Sequence, residues 1–261
     1  MRITRELCDA IERVEVEGLS SCIRNARERF PDVRPDMLAI GGGIAVFAGI
    51  DSPLSEGTGI GLWESAGEAE AEALVCFYRD RAAPARVRVS PHADLRFVRG
   101  LAARGCVPIS YENMMVADLT SLEASRDARV QAMGDELAWS RASASAFADG
   151  APITDADMGV PMMLCTIPDV TALEIRVNSE VVATGCMDVN GEVAGFFAAS
   201  TLPAYRGKGF QGALIRDRIA RGLERGARIG RVTTRPTTAS EQNFRRIGFV
   251  PLYTSTVWGI P

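Results

Sequence analysis

The sequence predicts an α/β protein (α+β, with mixed sheets) made of two similar halves, each a mixed, largely antiparallel sheet flanked by helices. Three observations lead there. Arg86-Val87-Arg88-Val89-Ser90-Pro91 has the same RVxxxP spacing as Arg231-Val232-Thr233-Thr234-Arg235-Pro236. Each is followed by a short segment, then by Gly105-Cys106-Val107-Pro108 or Gly248-Phe249-Val250-Pro251, then by an alternating run, ISYENMMVADL or LYTSTVWGI, that reads as a strand. An amphipathic stretch of helical period lies upstream of each copy, at 68–81 and 209–226. Shared order and spacing point to an internal duplication.

The remaining elements fill in two halves. Leu7–Phe30 reads as a long helix, and Met37–Ile50 as strands around a glycine turn at Gly41–Gly43. Residues 118–128 form a polar connection, and Val130–Ala148 reads as a helix opening the second half. Leu173–Val177, Val181–Met187 and Val193–Thr201 alternate or run apolar, separated by Asn178-Ser179 and Asn190-Gly191. Asn-Gly between two such runs signals a hairpin. The expected domains are 1–120 and 128–261.

Composition narrows the function. At 261 residues the chain exceeds the usual ~100–200 per domain and can bury a core without a disulfide or metal staple. No apolar run approaches the ~18–20 residues of a membrane span, and the charged N-terminus has no signal-peptide core, so a cytoplasmic protein without membrane contact is expected. Cys8, Cys22, Cys76, Cys106, Cys165 and Cys186 are scattered, with no CxxC pair and no nearby histidine; reduced, buried thiols and no metal are expected. His92 is the one histidine, so a His-dependent triad would have to use it.

Residues 203–261 carry 11 basic side chains against 3 acidic ones, whereas residues 1–202 carry 18 against 30. A basic block on an acidic protein suggests a local anionic ligand, not general nucleic-acid binding. The block begins with a glycine turn, Pro203-Ala204-Tyr205-Arg206-Gly207-Lys208-Gly209-Phe210-Gln211-Gly212-Ala213-Leu214, after an apolar strand and at the start of a helix. Glycines there permit positive φ, and the free N–H groups of a helix start favour an anion. Arg206 and Lys208 add full charges, so the chemistry is that of phosphate or pyrophosphate. A Walker loop is absent, and Gly207-Lys208-Gly209 lacks the third glycine of a dinucleotide fingerprint.

A strand, then PxYRGxGxxxxL, then helix, strand and SxxNxxRxGF resembles the GNAT N-acetyltransferase superfamily. Pro203, Tyr205, Arg206, Gly207, Gly209 and Leu214 carry the first motif, and Ser240, Asn243, Arg246, Gly248 and Phe249 the second. The resemblance covers roughly residues 130–261 and implies two GNAT-like halves, the first without a CoA loop. It implies acetyl-CoA as co-substrate, with Ala199, Ser200 and Thr201 along the pantetheine arm and Arg206, Gly207, Lys208, Gly209, Phe210 and Gln211 on the pyrophosphate. Thr201 N–H would polarise the thioester carbonyl, and Asn243 would reach the distal arm. Two departures stand out. Gln211 replaces the usual Gly or Ala, and Phe244 replaces a tyrosine that protonates the leaving thiolate in many relatives; Tyr253 is the alternative acid. Glu192 is the first candidate base, followed by Asp188 and Glu174.

In the first half, Gly61–Gly67 aligns with the phosphate loop but has no Arg-Gly-x-Gly, and Glu64, Glu68, Glu70 and Glu72 crowd the helix start, where they would repel a phosphate. His92 reads as a helix-start residue. The leading expectation is transfer of an acetyl group from acetyl-CoA to a primary amine of a small molecule. A non-catalytic acyl-CoA-binding sensor and a protein N-acetyltransferase are the alternatives. A tandem chain contains its own pseudo-dimer, which favours a monomer over a homodimer.

Overall fold

The computed structural model describes residues 2–260, and its chain divides into two compact units. One comprises 2–114 together with 251–260; the other is 115–250.

The first unit opens with α1 (Arg5–Arg29), capped by Thr4 Oγ1, which accepts the Leu7 N–H at 3.3 Å. Ile11, Val14, Cys22, Ile23 and Ala26 form its buried stripe. Then follow β1 (Asp36–Ile40), β2 (Gly43–Phe47), β3 (Gly57–Thr58), α2 (Glu68–Arg79), β4 (Arg86–Val89), α3 (Leu95–Ala103) and the long β5 (Val107–Asp118). The second unit adds β6 (Val130–Ala132), α4 (Glu136–Phe147), α5 (Gly159–Cys165), β7 (Thr171–Val177), β8 (Glu180–Asn190), β9 (Val193–Thr201), α6 (Phe210–Glu224), β10 (Ile229–Thr234) and α7 (Ala239–Ile247). Last comes β11 (Val250–Gly259).

Within the first unit the strand order is β1-β2-β3-β4-β11, with the first part of β5 beside β11; within the second it is the end of β5, then β10-β9-β8-β7-β6. In each, one pair of strands is parallel, β3 with β4 and β9 with β10. The sheets are therefore mixed, as the sequence predicts. Both copies of strand-helix-strand are present, as β4-α3-β5 and β10-α7-β11.

Three elements depart from the sequence reading. Val130–Ala132 is an edge strand against β7, with Val130 opposite Ile175, and the helix begins only after the Asp135 cap. The Asp135 carboxylate takes the Ala138 N–H, a helix-start signal that a long helical period hides. The helix α5 was not expected. The boundary between halves also moves: β11, expected in 128–261, belongs to the first unit, where Thr256–Gly259 pairs antiparallel with Val89–Arg86. Alternating residues specify a strand but not the sheet that receives it.

In the second unit, Phe196, Ile215, Ile219, Val232, Phe244 and Phe249 fill the face under α6 and α7, Trp139, Cys165, Ala172 and Cys186 fill the face under α4, and Val130, Leu173, Ile175, Val182, Ala213 and Leu214 form a further cluster. Trp139 Nε1 donates to Leu173 O at 2.9 Å, which fixes α4 on the sheet. Five cysteines are buried and Cys76 is half-buried; none of the six forms a disulfide. Among the described residues no helix is long and apolar enough to cross a membrane, and no three His, Cys, Asp or Glu side chains could hold a metal ion.

Gly195 has no room for a side chain: a Cβ would stand 2.2 Å from Asp188 Oδ1 and 2.7 Å from Arg231 Nη2. Gly195→Ala should part this buried pair and lower stability by about 1–3 kcal/mol in urea unfolding; an unchanged midpoint would show the pair to be unimportant. Native alkylation followed by mass spectrometry should label Cys76 before the other five cysteines, and its rate should rise only at alkaline pH, because the hydrogen bond to Glu72 raises its pKa.

Candidate functional site

The site of the second unit begins where β9 leaves β10. The two strands pair only over Val193–Gly195 against Ile229–Arg231; beyond that, Phe196–Thr201 keeps its partner β8 on one side alone. Leu202 N–H donates to Val182 O at 3.0 Å, so by strand alternation the Thr201 N–H points away from β8, to the edge that β10 has vacated.

Halfway along, β9 carries a bulge. Thr184 faces Ser200 but Cys186 faces Phe197, so Ala198 and Ala199 together oppose Gly185. Ala198 has φ +49°, the left-handed region that an alanine occupies at a cost of about 1–2 kcal/mol.

After β9 a short turn, Pro203–Tyr205, leads into Gly207 (φ +75°) and Gly209 (φ +78°), and α6 starts at Phe210. The two left-handed glycines turn the chain so that α6 begins directly behind the strand end. Ala213 N–H is the first to bond back, to Gly209 O at 3.0 Å. Among the described residues, the N–H groups from Gly207 to Gly212 have no partner. Six such donors at a helix N-terminus, with the helix dipole behind them, favour an anion.

Solved structures share this fold. A GCN5-related N-acetyltransferase from Kribbella flavida matches with TM-score 0.64 and 17% identity, over 92% of this chain and 95% of that one. The chain has the GNAT fold. A GNAT-family protein from Novosphingobium aromaticivorans matches with TM-score 0.53 and 20% identity over 77% of this chain and 85% of that one. A tandem GNAT protein from the clavulanic acid biosynthesis pathway matches with TM-score 0.50 and 13% identity over 74% and 67%. No family model and no curated protein matches the sequence.

Within this GNAT fold the expected residues fall into two groups. Ala199, Ser200 and Thr201 lie on the open stretch of β9, and Arg206, Gly207, Lys208, Gly209, Phe210 and Gln211 form the loop behind it. The Arg206 guanidinium, however, is turned onto the end of α4: it pairs with Asp149 and donates to Ala146 O at 3.1 Å and to Thr201 O at 3.2 Å. It holds the loop in place, while the backbone N–H groups of the loop stay open. Lys208 Nζ sits 4.8 Å from the Tyr205 ring centroid and carries the free charge. Gln211 uses its side chain inward, with Nε2 donating to Ser200 O and, at 2.9 Å, to Thr201 Oγ1. Asn243 is half-exposed on α7 and accepts from Arg246 Nη1 at 3.0 Å along its own helix.

The candidate acid and base are not brought to this edge. Glu192 is exposed at the opposite end of β9, nine positions before Thr201, or about 30 Å at ~3.3 Å per residue. There it borders a shallow depression with Asp118, Arg228 and Ile229. Tyr253 belongs to the first unit, where its hydroxyl donates to Glu12 Oε1 at 2.7 Å and burial holds its pKa far above the phenolic range. Phe244 is core, 5.0 Å from the Phe249 ring and stacked on Phe196 at 6.3 Å. Asp188 accepts the Gly195 N–H at 3.0 Å beside Arg231, and burial raises its pKa. Glu174 is fully buried and bonds Arg176 Nε at 2.7 Å, with Gln131 and Gly134 also donating to it.

The first unit contains the same frame in a closed form. Gly57 pairs with Val87, as Phe196 would by position with Val232, which makes Gly59 the counterpart of Ala198. Gly59 also has positive φ, +74°. Two residues on, Gly61 O accepts the Asp94 N–H at 2.9 Å at the start of α3, and Gly100 lets α3 approach α2 so closely that a Cβ there would stand 2.9 Å from Ala71. At the start of α2, Glu70 Oε2 accepts the Gly67 N–H at 2.7 Å, so a carboxylate of the chain itself takes the place of an anion. His92 precedes the Asp94 cap and lies edge-on to Tyr253 at 6.1 Å.

Asp149→Ala should release Arg206 and loosen the glycine loop. Amide exchange across Arg206–Gln211 should quicken while global stability falls by less than ~1 kcal/mol, since the pair is exposed. Unchanged exchange would show that the glycines alone hold the loop.

Proposed function

We propose that the second unit binds acetyl-CoA and passes its acetyl group to a primary amine of a small molecule. The observation that carries this reading is the pairing of an open strand edge with a row of unpartnered N–H groups directly behind it. One suits an extended amide-bearing arm and the other a pyrophosphate, and the two are joined at Thr201–Gln211. The resemblance in motif and the likeness in fold support the same assignment.

In this reading the protein contributes position and electrostatics. The N–H groups of Gly207–Gly212 and the Lys208 ammonium hold the pyrophosphate, and Thr201 N–H faces the acyl arm, available to a developing oxyanion. The attacking amine must be neutral. No tyrosine hydroxyl in the second unit stands at the strand edge, since Tyr205 is committed to Glu180. A thiol of pKa ~8.5 can leave as thiolate without an acid, so the buried Phe244 is compatible with transfer. The acidic surface of the chain favours a cationic acceptor through steering. The first unit is a copy that takes no CoA, its strand edge bonded to α3 and its helix start occupied by Glu70. The same observations of Phe244 and Tyr253 favour, as a second reading, a protein that binds acyl-CoA without turning it over.

The test is calorimetric titration with acetyl-CoA and CoA, then thiol release with a panel of small amines. One CoA per chain is expected, with amine-dependent release. Gly209→Glu, which places a carboxylate at the loop, should weaken binding at least a hundredfold with the helical circular dichroism unchanged. Binding without release on any amine would transfer the weight to the non-catalytic reading, and unaltered affinity in G209E would refute the loop assignment.

A further inference from the structure

The guanidinium of Arg218 is the least expected group in the second unit. It sits in the middle of α6, its side chain wholly buried, and no carboxylate bonds to it. Nε donates to Leu214 O in its own helix at 3.1 Å and Nη1 to Cys186 O at 3.1 Å. Nη2 is buried without a hydrogen-bond partner, and Cζ lies 5.3 Å from the ring centroid of Phe196. Burial of this kind lowers its pKa to about 10. Such a charge is expensive to keep, and an apolar side chain of similar length would fill the same space.

Its location is the register shift of β9. Along β8 the carbonyls that face β9 are those in phase with Val182, hence Thr184 and Cys186. Arg218 meets the second of these at the point where pairing jumps from Thr184–Ser200 to Cys186–Phe197. Gly185, opposite the bulge, leaves the room: a Cβ there would stand 3.2 Å from Arg218 Cζ.

The first unit supplies an internal control. There Gly43 holds the place of Gly185, since Ala45–Gly57 and Ile44–Thr58 correspond to Met187–Phe196 and Cys186–Phe197. The residue turned to positive φ is Gly59, and the backbone folds straight onto Gly43, whose Cβ would lie 2.3 Å from Thr58 O and 2.4 Å from the Gly59 carbonyl carbon. The helix above it, α2, has Arg79 at its last position as its one arginine. In the first unit, where the residue of positive φ is glycine and pairing runs on without a register shift, backbone lies directly on Gly43. In the second, where it is alanine and the register shifts, a buried guanidinium stands over Gly185.

We infer that Arg218 is a positioning residue that holds the β9 bulge at Ala198, and through it the orientation of the strand edge Ala199–Thr201 that the proposed function uses. Loss of the bulge would slip the following residues by one place in register, and a one-residue slip turns the Thr201 N–H from the open edge into β8. The inference rests on the acetyl-CoA reading only for its functional consequence; the structural claim stands on the bulge itself.

The test is Arg218→Met, with amide exchange over 195–202 and acetyl-CoA calorimetry as readouts. Exchange at Ala198–Thr201 should quicken at least tenfold and acetyl-CoA affinity fall at least tenfold. Adding Ala198→Gly to R218M should restore both, because glycine takes the left-handed conformation of the bulge without the steric cost that alanine bears; loss of general core packing would not be repaired by that change. Arg218→Lys, which keeps a cation and a donor, serves where R218M fails to fold and should show a smaller effect rescued in the same way. Wild-type exchange in R218M or R218K, or folded double variants that recover neither readout, would overturn the inference. Should the wild-type protein bind no acetyl-CoA, the functional proposal falls, and the exchange measurements still decide the role of Arg218.

Discussion

The separation of β9 from β10 after Gly195 governs the second unit. Two parallel strands paired along their full length would have presented no free backbone, and the helix behind them would have ended over a closed sheet. Parting exposes one edge of Phe196–Thr201, and the bulge at Ala198–Ala199 then sets which N–H groups that edge presents. A single extra residue does this because side chains and amides alternate with a period of two.

What surrounds the edge can be understood as support for it. Gln211 reaches back from the first turn of α6 to Ser200 and Thr201, and Arg206 reaches from the loop to Thr201 and the end of α4. These two side chains bind the strand end, loop and helix start into one piece, so the free N–H groups of Gly207–Gly212 are held in fixed directions. Preorganised backbone donors lose little on binding an anion, whereas long side chains must first be ordered. By that division of labour Arg206 serves structure while the N–H groups of the loop stay open.

The first unit shows the same frame put to a different use. It keeps a residue of positive φ at the same place, Gly59, but the edge beyond it is bonded to the start of α3 and a glutamate satisfies the start of α2. Its interior polar groups gather instead around Arg88, which pairs with Glu15 at 2.7 Å and lies 3.7 Å from Glu112 and 4.0 Å from Glu56. The frame therefore does not by itself leave backbone groups open; the glycine loop and the parted strand edge do.

The sequence alone determined a great deal. The repeated RVxxxP segments set the duplicated strand-helix-strand units, and hairpin signals such as Asn190-Gly191 set the antiparallel strands. The order strand, glycine turn, helix located the loop with its open N–H groups to within a few residues, because turn glycines and hydrophobic period are local properties. Distances along the chain then misled where folding separates or reunites segments. Glu192 adjoins β9 in sequence yet stands a whole strand away from Thr201. Tyr253 follows α7 directly, but β11 pairs with β4 in the first unit and takes it away. Val130–Ala132 fits a helical period, but an open edge of β7 claims it as a strand. Arg218 carried no sequence signal: it reads as one more basic residue on an amphipathic helix until the sheet beneath it shows a bulge and a glycine making room. Only the tertiary structure decides such matters, since strand partners, burial and the far side of a bulge depend on residues remote in sequence.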